Sequence, residues 1–284
     1  MKLSLSPRTD LSIKLAYRSF LNTQQGTEEY EEFKRLLYTE DDSLVQVLNN
    51  NVLQYLPTIS KDLLKVCDIG GGNGKRIRKI LKFWHEKFNM QFKLDFIEQS
   101  SPFMRSFGTE DIDFFCETRR LEMLFEEAEL ASDFDVVFLV HSIFAFEDEK
   151  AVNKVLSLPR PGGTIVIVAN AQDSFLAGLK RVLDAEYEDS RFEISDLVRV
   201  LENRALPFRQ IQFETKWAVR KEALRRKAEV ILDWLSLGRY KHLAEDRKKE
   251  VWRYIEENSL DVGQRVLFSE SEVAVLVSCP QNEG

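Results

Sequence analysis

The residues with the clearest chemical potential lie in one short run, Asp68-Ile69-Gly70-Gly71-Gly72-Asn73-Gly74. Three glycines at alternating positions, Gly70, Gly72 and Gly74, have no Cβ. The backbone there is free to take positive φ and to let a ligand lie against it. Asp68 stands two residues before the first of them. A second acid, Glu98, closes a later apolar run, where one carboxylate is able to accept from both hydroxyls of a ribose diol. A histidine, His141, follows the most apolar segment of the chain and is the histidine best placed to act as a base. His85 and His242 fall within helix patterns instead. No metal-ligand spacing, phosphate loop or Cys-His-Asp set accompanies these residues.

These groups need elements to hold them. Leu63, Leu64, Val66 and Ile69 read as a short buried strand feeding the glycine turn, and Ile77, Ile80, Leu81 and Trp84 continue at helical spacing. Strand, glycine turn and helix form the opening unit of a nucleotide-binding α/β domain. The dinucleotide fingerprint would place its third glycine at position 75, which is Lys75, so the turn is G-x-G-x-G. The second strand is expected at 93–97, ending at Glu98, and the third at 112–115, leading to Cys116-Glu117-Thr118. A short helix is expected from Glu122 to Leu130. The run Phe134–Val140 is apolar throughout, as a central parallel strand buried on both faces should be. His141-Ser142-Ile143-Phe144 leave its carboxyl end, where open α/β sheets bind ligands. A Pro161-Gly162-Gly163 turn leads to a fifth strand over 164–169.

A helical preface precedes the first strand, with helices over 11–22, from an N-cap at Thr27 onward, and over 43–55. After 170 the pattern is a helix over 174–183, a helix capped by Ser195 with Asp196, a strand over 208–215, and two charged helices over 219–236 and 241–257. A last strand covers 265–278.

Composition narrows the partners. A net charge of −7 and 44% apolar residues in 284 give a full core without the basic footprint of a nucleic-acid binder. No apolar run approaches the ~18 residues of a membrane span, and the N-terminus lacks a signal-peptide core. Cys67, Cys116 and Cys279 show no metal spacing, and a reduced, cytoplasmic setting is the default. The expected partner is a small molecule, with no nucleic acid and no membrane, and the expected state is a monomer.

With these residues in place, the chain resembles class I S-adenosylmethionine-dependent methyltransferases. Across nearly its whole length it is similar to histamine N-methyltransferase and its relatives. The likeness rests on Tyr17-Arg18-Ser19-Phe20-Leu21-Asn22 with Thr27-Glu28, on Ile69–Gly74, on Glu98 with Ser100, and on Glu117-Thr118. It continues through Asp196-Leu197, Leu201-Glu202-Asn203, Leu232-Asp233-Trp234-Leu235 and Val266-Leu267-Phe268. The resemblance implies an α/β, Rossmann-like seven-stranded sheet in the order 3-2-1-4-5-7-6, its last strand antiparallel. It would be one methyltransferase domain, with a helical extension over 10–57 acting as a lid. The cofactor core would span 60–175, and a substrate-cap region with a helical insert and the last two strands would span 176–284.

The same resemblance implies S-adenosylmethionine as cofactor. Gly70, Gly71, Gly72 and Gly74 would meet its methionine end, Glu98 its ribose, the Thr118 region its adenine, and Val140 with His141 the floor beneath its methyl group, with Asp68 and Gln99 also in the cofactor site. Glu28 matches the family's anchor for a substrate amine, and Phe20, Phe144 and Phe175 its aromatic walls. The chain departs from the family at Phe144-Ala145, where two tyrosines are usual, at His141 in place of a glutamine, and at Glu270 near a usual asparagine. The cofactor half is kept and the substrate pocket changed. Two acids facing one pocket, Glu28 and Glu270, would favour an acceptor of positive charge. The function implied is N-methylation of a cationic amine, with O-methylation of a small hydroxylated molecule or a catalytically silent binding protein as the alternatives.

Overall fold

The computed structural model describes residues 23–34, 40–51, 63–107, 113–146, 149–183, 193–236 and 240–280. Their elements in chain order are α1 (Gln24–Lys34), α2 (Glu40–Asn51), β1 (Leu63–Ile69), α3 (Lys75–Phe88), β2 (Gln91–Ile97), α4 (Ser101–Ser106), β3 (Phe115–Leu121) and β4 (Phe134–Val140). There follow α5 (Glu149–Leu156), β5 (Pro159–Asn170), α6 (Phe175–Leu183), α7 (Ile194–Asn203), β6 (Phe208–Arg220), α8 (Lys221–Leu235), α9 (Glu245–Glu257), β7 (Leu260–Val262) and β8 (Arg265–Ser278). The strands form one sheet in the order β3-β2-β1-β4-β5-β8-β6, with β7 paired only to β8. Apart from the three-residue β7, this is the order expected from the sequence. Strands β3, β2, β1, β4 and β5 are parallel to one another. Gly162 donates to the carbonyl of Cys279 and Ala171 to that of Ser271, so numbers rise along β5 as they fall along β8. That makes β8 antiparallel.

The chain divides into two compact units. One holds α2 to Ala169, α7 with β6 as far as Phe213, and the chain from Glu272 onward. Its strands send alternate residues to opposite faces, the period-two habit of pleated backbone. Leu64, Val66, Leu94, Phe96, Val136 and Phe138 pack with Leu44 and Leu48 of α2 and with Ile77, Leu81 and Trp84 of α3. Cys67, Ile69, Ile97, Val137 and Leu139 pack with α5 and α7 through Val152, Val155, Leu197 and Leu201. Helix α2, expected to be part of a lid over 10–57, therefore belongs to this core.

The other unit holds α1, residues 170–183 and 214–271. Within it α1 packs on α8, and α6 on α9. Rings of Phe175, Trp217, Tyr254 and Phe268 cluster with centroids 4.1 to 5.6 Å apart.

Several local expectations are corrected. Helix α1 begins at Gln24, not after Thr27: Thr23 is its cap, its hydroxyl accepting from the Gly26 N–H at 3.0 Å, while Thr27 lies buried inside the helix. The cap of α7 is Glu193, not Ser195, and the Asp196 carboxylate accepts from the Glu193 N–H at 3.0 Å. Residues 122–130 are turns rather than a helix. Their carbonyls at Phe125, Glu126 and Ala128 accept from the Lys154 ammonium at 2.7, 3.0 and 2.6 Å, a set of partners that replaces helical bonds. Strands β5 and β6 are longer than their apolar runs, starting at Pro159 and ending at Arg220 respectively. The first helix expected over 11–22 lies outside the described residues.

Candidate functional site

The glycine turn is built against the ends of its neighbours. The N–H groups of Gly70 and Gly71 both reach the carbonyl of Ile97, at 2.8 and 3.4 Å, which ties the turn to the end of β2. Two positions show why side chains are absent. A Cβ on Gly71 would lie 2.2 Å from the Phe96 ring and 2.3 Å from the Asp68 carboxylate, so the protein itself fills that space. Gly72, at φ +60°, is the opposite case: a Cβ there would meet no atom within 4 Å. The turn is thus packed from beneath and open at Gly72.

Glu98 holds this opening in shape. Its carboxylate accepts from the Gly72 N–H at 2.8 Å through one oxygen and from the Ser100 N–H at 2.8 Å through the other. The side chain is buried. Burial raises its pKa, and the N–H bonds from Ser100, Gly72 and Gln99 offset part of that rise. Each carboxylate oxygen has a second lone pair, so the pair of hydroxyls on a ribose has acceptors there beside the backbone bonds already made. Gln99, half-buried, bonds Glu98 through its main-chain N–H.

Asp68, buried at the end of β1, has its pKa raised from 3.8 to about 7. Burial is the main cause, the Glu98 charge adds to it, and Arg76 opposes it. Glycines, Glu98 and Asp68 thus form the cluster expected from the sequence.

Beside this cluster β4 ends at Val140, and His141 takes a left-handed backbone, φ +56°. A side-chain-bearing residue pays about 1–2 kcal/mol for that conformation. It is held there by the His141 N–H bonding to the Val168 carbonyl at 2.8 Å and by the next residue, whose Ser142 hydroxyl donates to the Ile69 carbonyl at 2.7 Å. Nε2 of His141 lies 3.1 Å from the carboxylate of Glu272, which is 1% exposed. A carboxylate only accepts, so the proton belongs on Nε2 and the lone pair on Nδ1. In the 3₁₀ turn Ile143–Ala145 that follows, Phe144 is half-buried, while Ile143 packs inward.

The remaining residues singled out from the sequence fall elsewhere. Thr118 is mid-strand in β3, opposite Leu94, and exposed. The residue level with the end of β2 is Leu121, whose carbonyl accepts from the Glu98 N–H at 3.1 Å. Thr118 is therefore three residues short of the carboxyl end, because β3 begins only at Phe115. Of the strand expected over 112–115, Phe115 opens β3, Asp113 and Phe114 precede it, and position 112 lies outside the described residues.

In the other unit, Glu270 is buried and already engaged. It accepts from Asn170 Nδ2 at 2.7 Å and from the Leu176 N–H at 3.1 Å, at the first turn of α6. There a carboxylate is favoured by unpaired helix N–H groups. Phe175, beside it in α6, is buried in the aromatic cluster. Glu28 is exposed on α1 and accepts from Gln24 at 2.9 Å. Glu270 therefore has its own donors and does not depend on a cation beside Glu28. Phe20 lies outside the described residues.

Sequence reasoning missed Glu272 and Ser142. The available signal for Glu272 was an acid directly before the apolar run Val273–Val277, since a buried acid requires a partner. That its partner is His141 follows only from the sheet, 131 positions away in sequence.

No protein-family model and no curated protein matches the chain. Solved structures do. The plantazolicin methyltransferase BpumL, solved with SAH, is 15% identical with a TM-score of 0.52, over 95% of this chain and 97% of that one. The YcgJ protein of Bacillus subtilis is 14% identical with a TM-score of 0.51, over 81% of this chain and all of that one. Phosphoethanolamine N-methyltransferase 2 of Haemonchus contortus, solved with S-adenosyl-L-methionine, is 13% identical with a TM-score of 0.51, over 93% of this chain and 60% of that one. At these identities the likeness is one of fold, and the fold is the class I methyltransferase fold.

Proposed function

We propose that the chain binds S-adenosylmethionine at the Gly70–Gly74 turn and methylates a small molecule, the acceptor being the nitrogen of an amine. The observation that carries the cofactor reading is the buried Glu98 carboxylate bonded to the N–H of Gly72, beside backbone with open space above it. That arrangement fits a nucleoside whose ribose bonds Glu98 and whose remainder follows the turn. When bound, the cofactor supplies an electrophilic methyl group on a positively charged sulfur. The chain's own residues then have three tasks. Glu98 and the turn hold the ribose and the chain leading to the sulfur, Val140 and the His141 backbone form a wall, and a base takes the proton that the acceptor must lose. His141 suits that last task, because Glu272 fixes its ring and stabilises the imidazolium it becomes.

The amine acceptor rests on the sequence likeness to histamine N-methyltransferase and on Glu28, an exposed acid on α1 able to meet a cation. A second reading, O-methylation of a small phenol or alcohol, is favoured by the His141–Glu272 pair, since a hydroxyl acceptor gains most from a held base. The setting that accords with three free cysteines is the cytoplasm. Among the described residues no helix is long and apolar enough to cross a membrane.

The test is transfer of labelled methyl from S-adenosylmethionine to a panel of amines and a matched panel of phenols, with the wild-type chain and with His141→Asn. Amines labelled in preference to phenols support the first reading and the reverse supports the second. Labelling of neither panel by a chain that binds the cofactor would leave the silent-protein alternative standing and overturn both.

A further inference from the structure

Strand β3 is an edge of the sheet, hydrogen-bonded on one side to β2 and to no other strand among the described residues. Residues 116–120 are exposed, on both faces of the strand. The Leu121 carbonyl points to β2, where it accepts from Glu98. Backbone groups alternate sides along a strand, so Glu117 and Arg119 also turn theirs inward, while Thr118 and Arg120 turn N–H and C=O outward. An outward row of unpaired main-chain groups is a template for another strand.

The side chains along this edge are ordered by sign. Glu117 pairs with Lys93 at 3.1 Å and Arg119 with Asp95 at 2.5 Å, each directly across from its partner in the β2–β3 register. Place a second copy antiparallel about a two-fold axis through Thr118. Glu117 then faces the partner's Arg119, and Arg119 faces the partner's Glu117. Thr118 exchanges both main-chain hydrogen bonds with the partner's Thr118. The charged pairs fall at the non-hydrogen-bonded positions, where opposed side chains approach most closely. Across four strands the row reads Lys93, Glu117, the partner's Arg119, the partner's Asp95, alternating in sign throughout.

The neighbouring registers fail on charge. An axis through Glu117 sets Glu117 against the partner's Glu117, and an axis through Arg119 sets arginine against arginine. The irregularity between β2 and β3 beside Cys116 ends the regular stretch on one side, which leaves Thr118 at the centre of what can pair. We propose that β3 is a self-pairing edge, through which two copies of this chain associate antiparallel about Thr118, in a register chosen by Glu117 and Arg119. This departs from the monomer expected from the sequence and is independent of the methyl-transfer reading.

The test is sedimentation velocity of the full chain and of three variants, over micromolar to submillimolar protein at low and high salt. The wild type should form a dimer that weakens as salt screens the ladder. Arg119→Glu and Glu117→Arg, each alone, should associate about tenfold or more weakly, because each opposes like charges twice per dimer. Mixed together they should recover a dimer, since one chain then carries Glu at both positions and the other Arg at both. Thr118→Pro removes an outward N–H that β2 does not use and should leave a folded monomer. A wild type that stays monomeric, single variants that dimerise like the wild type, or a mixture that fails to associate would each overturn the proposal.

Discussion

Asp68 gives a prediction whose size follows from its surroundings. Its carboxyl is buried, and its pKa is raised from 3.8 to about 7. Between those values the folded chain keeps a proton that the unfolded chain releases. Stability therefore falls as pH rises, the reverse of the behaviour of a salt-bridged acid. The penalty is absent below pH 3.8, grows through the interval and levels off above about 7. A carboxyl moved that far costs about 4 kcal/mol in the ionised form, an upper bound because relaxation of the site reduces it.

Asp68→Asn keeps the shape and removes the titration. Urea unfolding of both chains at pH 5, 6, 7 and 8, read as midpoints at unchanged slope, isolates the effect. The variant should gain on the wild type as pH rises and be more stable than it at pH 8 by on the order of 2–4 kcal/mol. Glu98 is also raised by burial, so a weaker decline persists in the variant. Equal pH dependence in the two chains, or a variant less stable than the wild type at pH 8, would show that Asp68 is ionised and paired in the fold, and the reasoning would fail.

Two further outcomes separate packing from binding. Gly71→Ala drives a Cβ into the Phe96 ring and the Asp68 carboxylate and should lower stability by about 1–3 kcal/mol in the same urea assay. Gly72→Ala meets no atom and should cost only about 1–2 kcal/mol for its positive φ, yet it should abolish cofactor binding measured by calorimetry. Glu270→Ala leaves the Leu176 N–H and the Asn170 amide without their acceptor and should lower Tm in calorimetric scans, by an amount corresponding to about 1–3 kcal/mol. An unchanged Tm would mean that the carboxylate does not hold the first turn of α6.

What the sequence disclosed, and what it hid, follow from where each interaction is made. The glycine turn, Glu98 and the position of His141 were legible because backbone freedom and strand ends are local properties, and the all-apolar Phe134–Val140 marked the central strand. Strand β3 was not legible because Phe-Cys-Glu-Thr-Arg-Arg-Leu has no apolar alternation. An edge strand exposed on both faces buries nothing, and its pairing to Lys93 and Asp95 comes from residues more than twenty positions away. The segment 122–130 looked helical because its apolar spacing suits a helix, but Lys154 takes its carbonyls. Glu270 looked like a substrate-side acid, and Glu272, two residues on, was not singled out. Only the sheet register distinguishes them, placing one on the first turn of a helix and the other on His141.

The central claim is that the Gly70–Gly74 turn and Glu98 hold an adenosyl cofactor. Calorimetric titration of S-adenosylhomocysteine into the wild-type chain and into Glu98→Ala tests it most directly. The wild type should bind S-adenosylhomocysteine, with nothing of comparable strength for NAD, and the variant should lose about 2–4 kcal/mol from removal of charge-assisted bonds. Equal affinity in the two chains, or a preference for NAD, would contradict it.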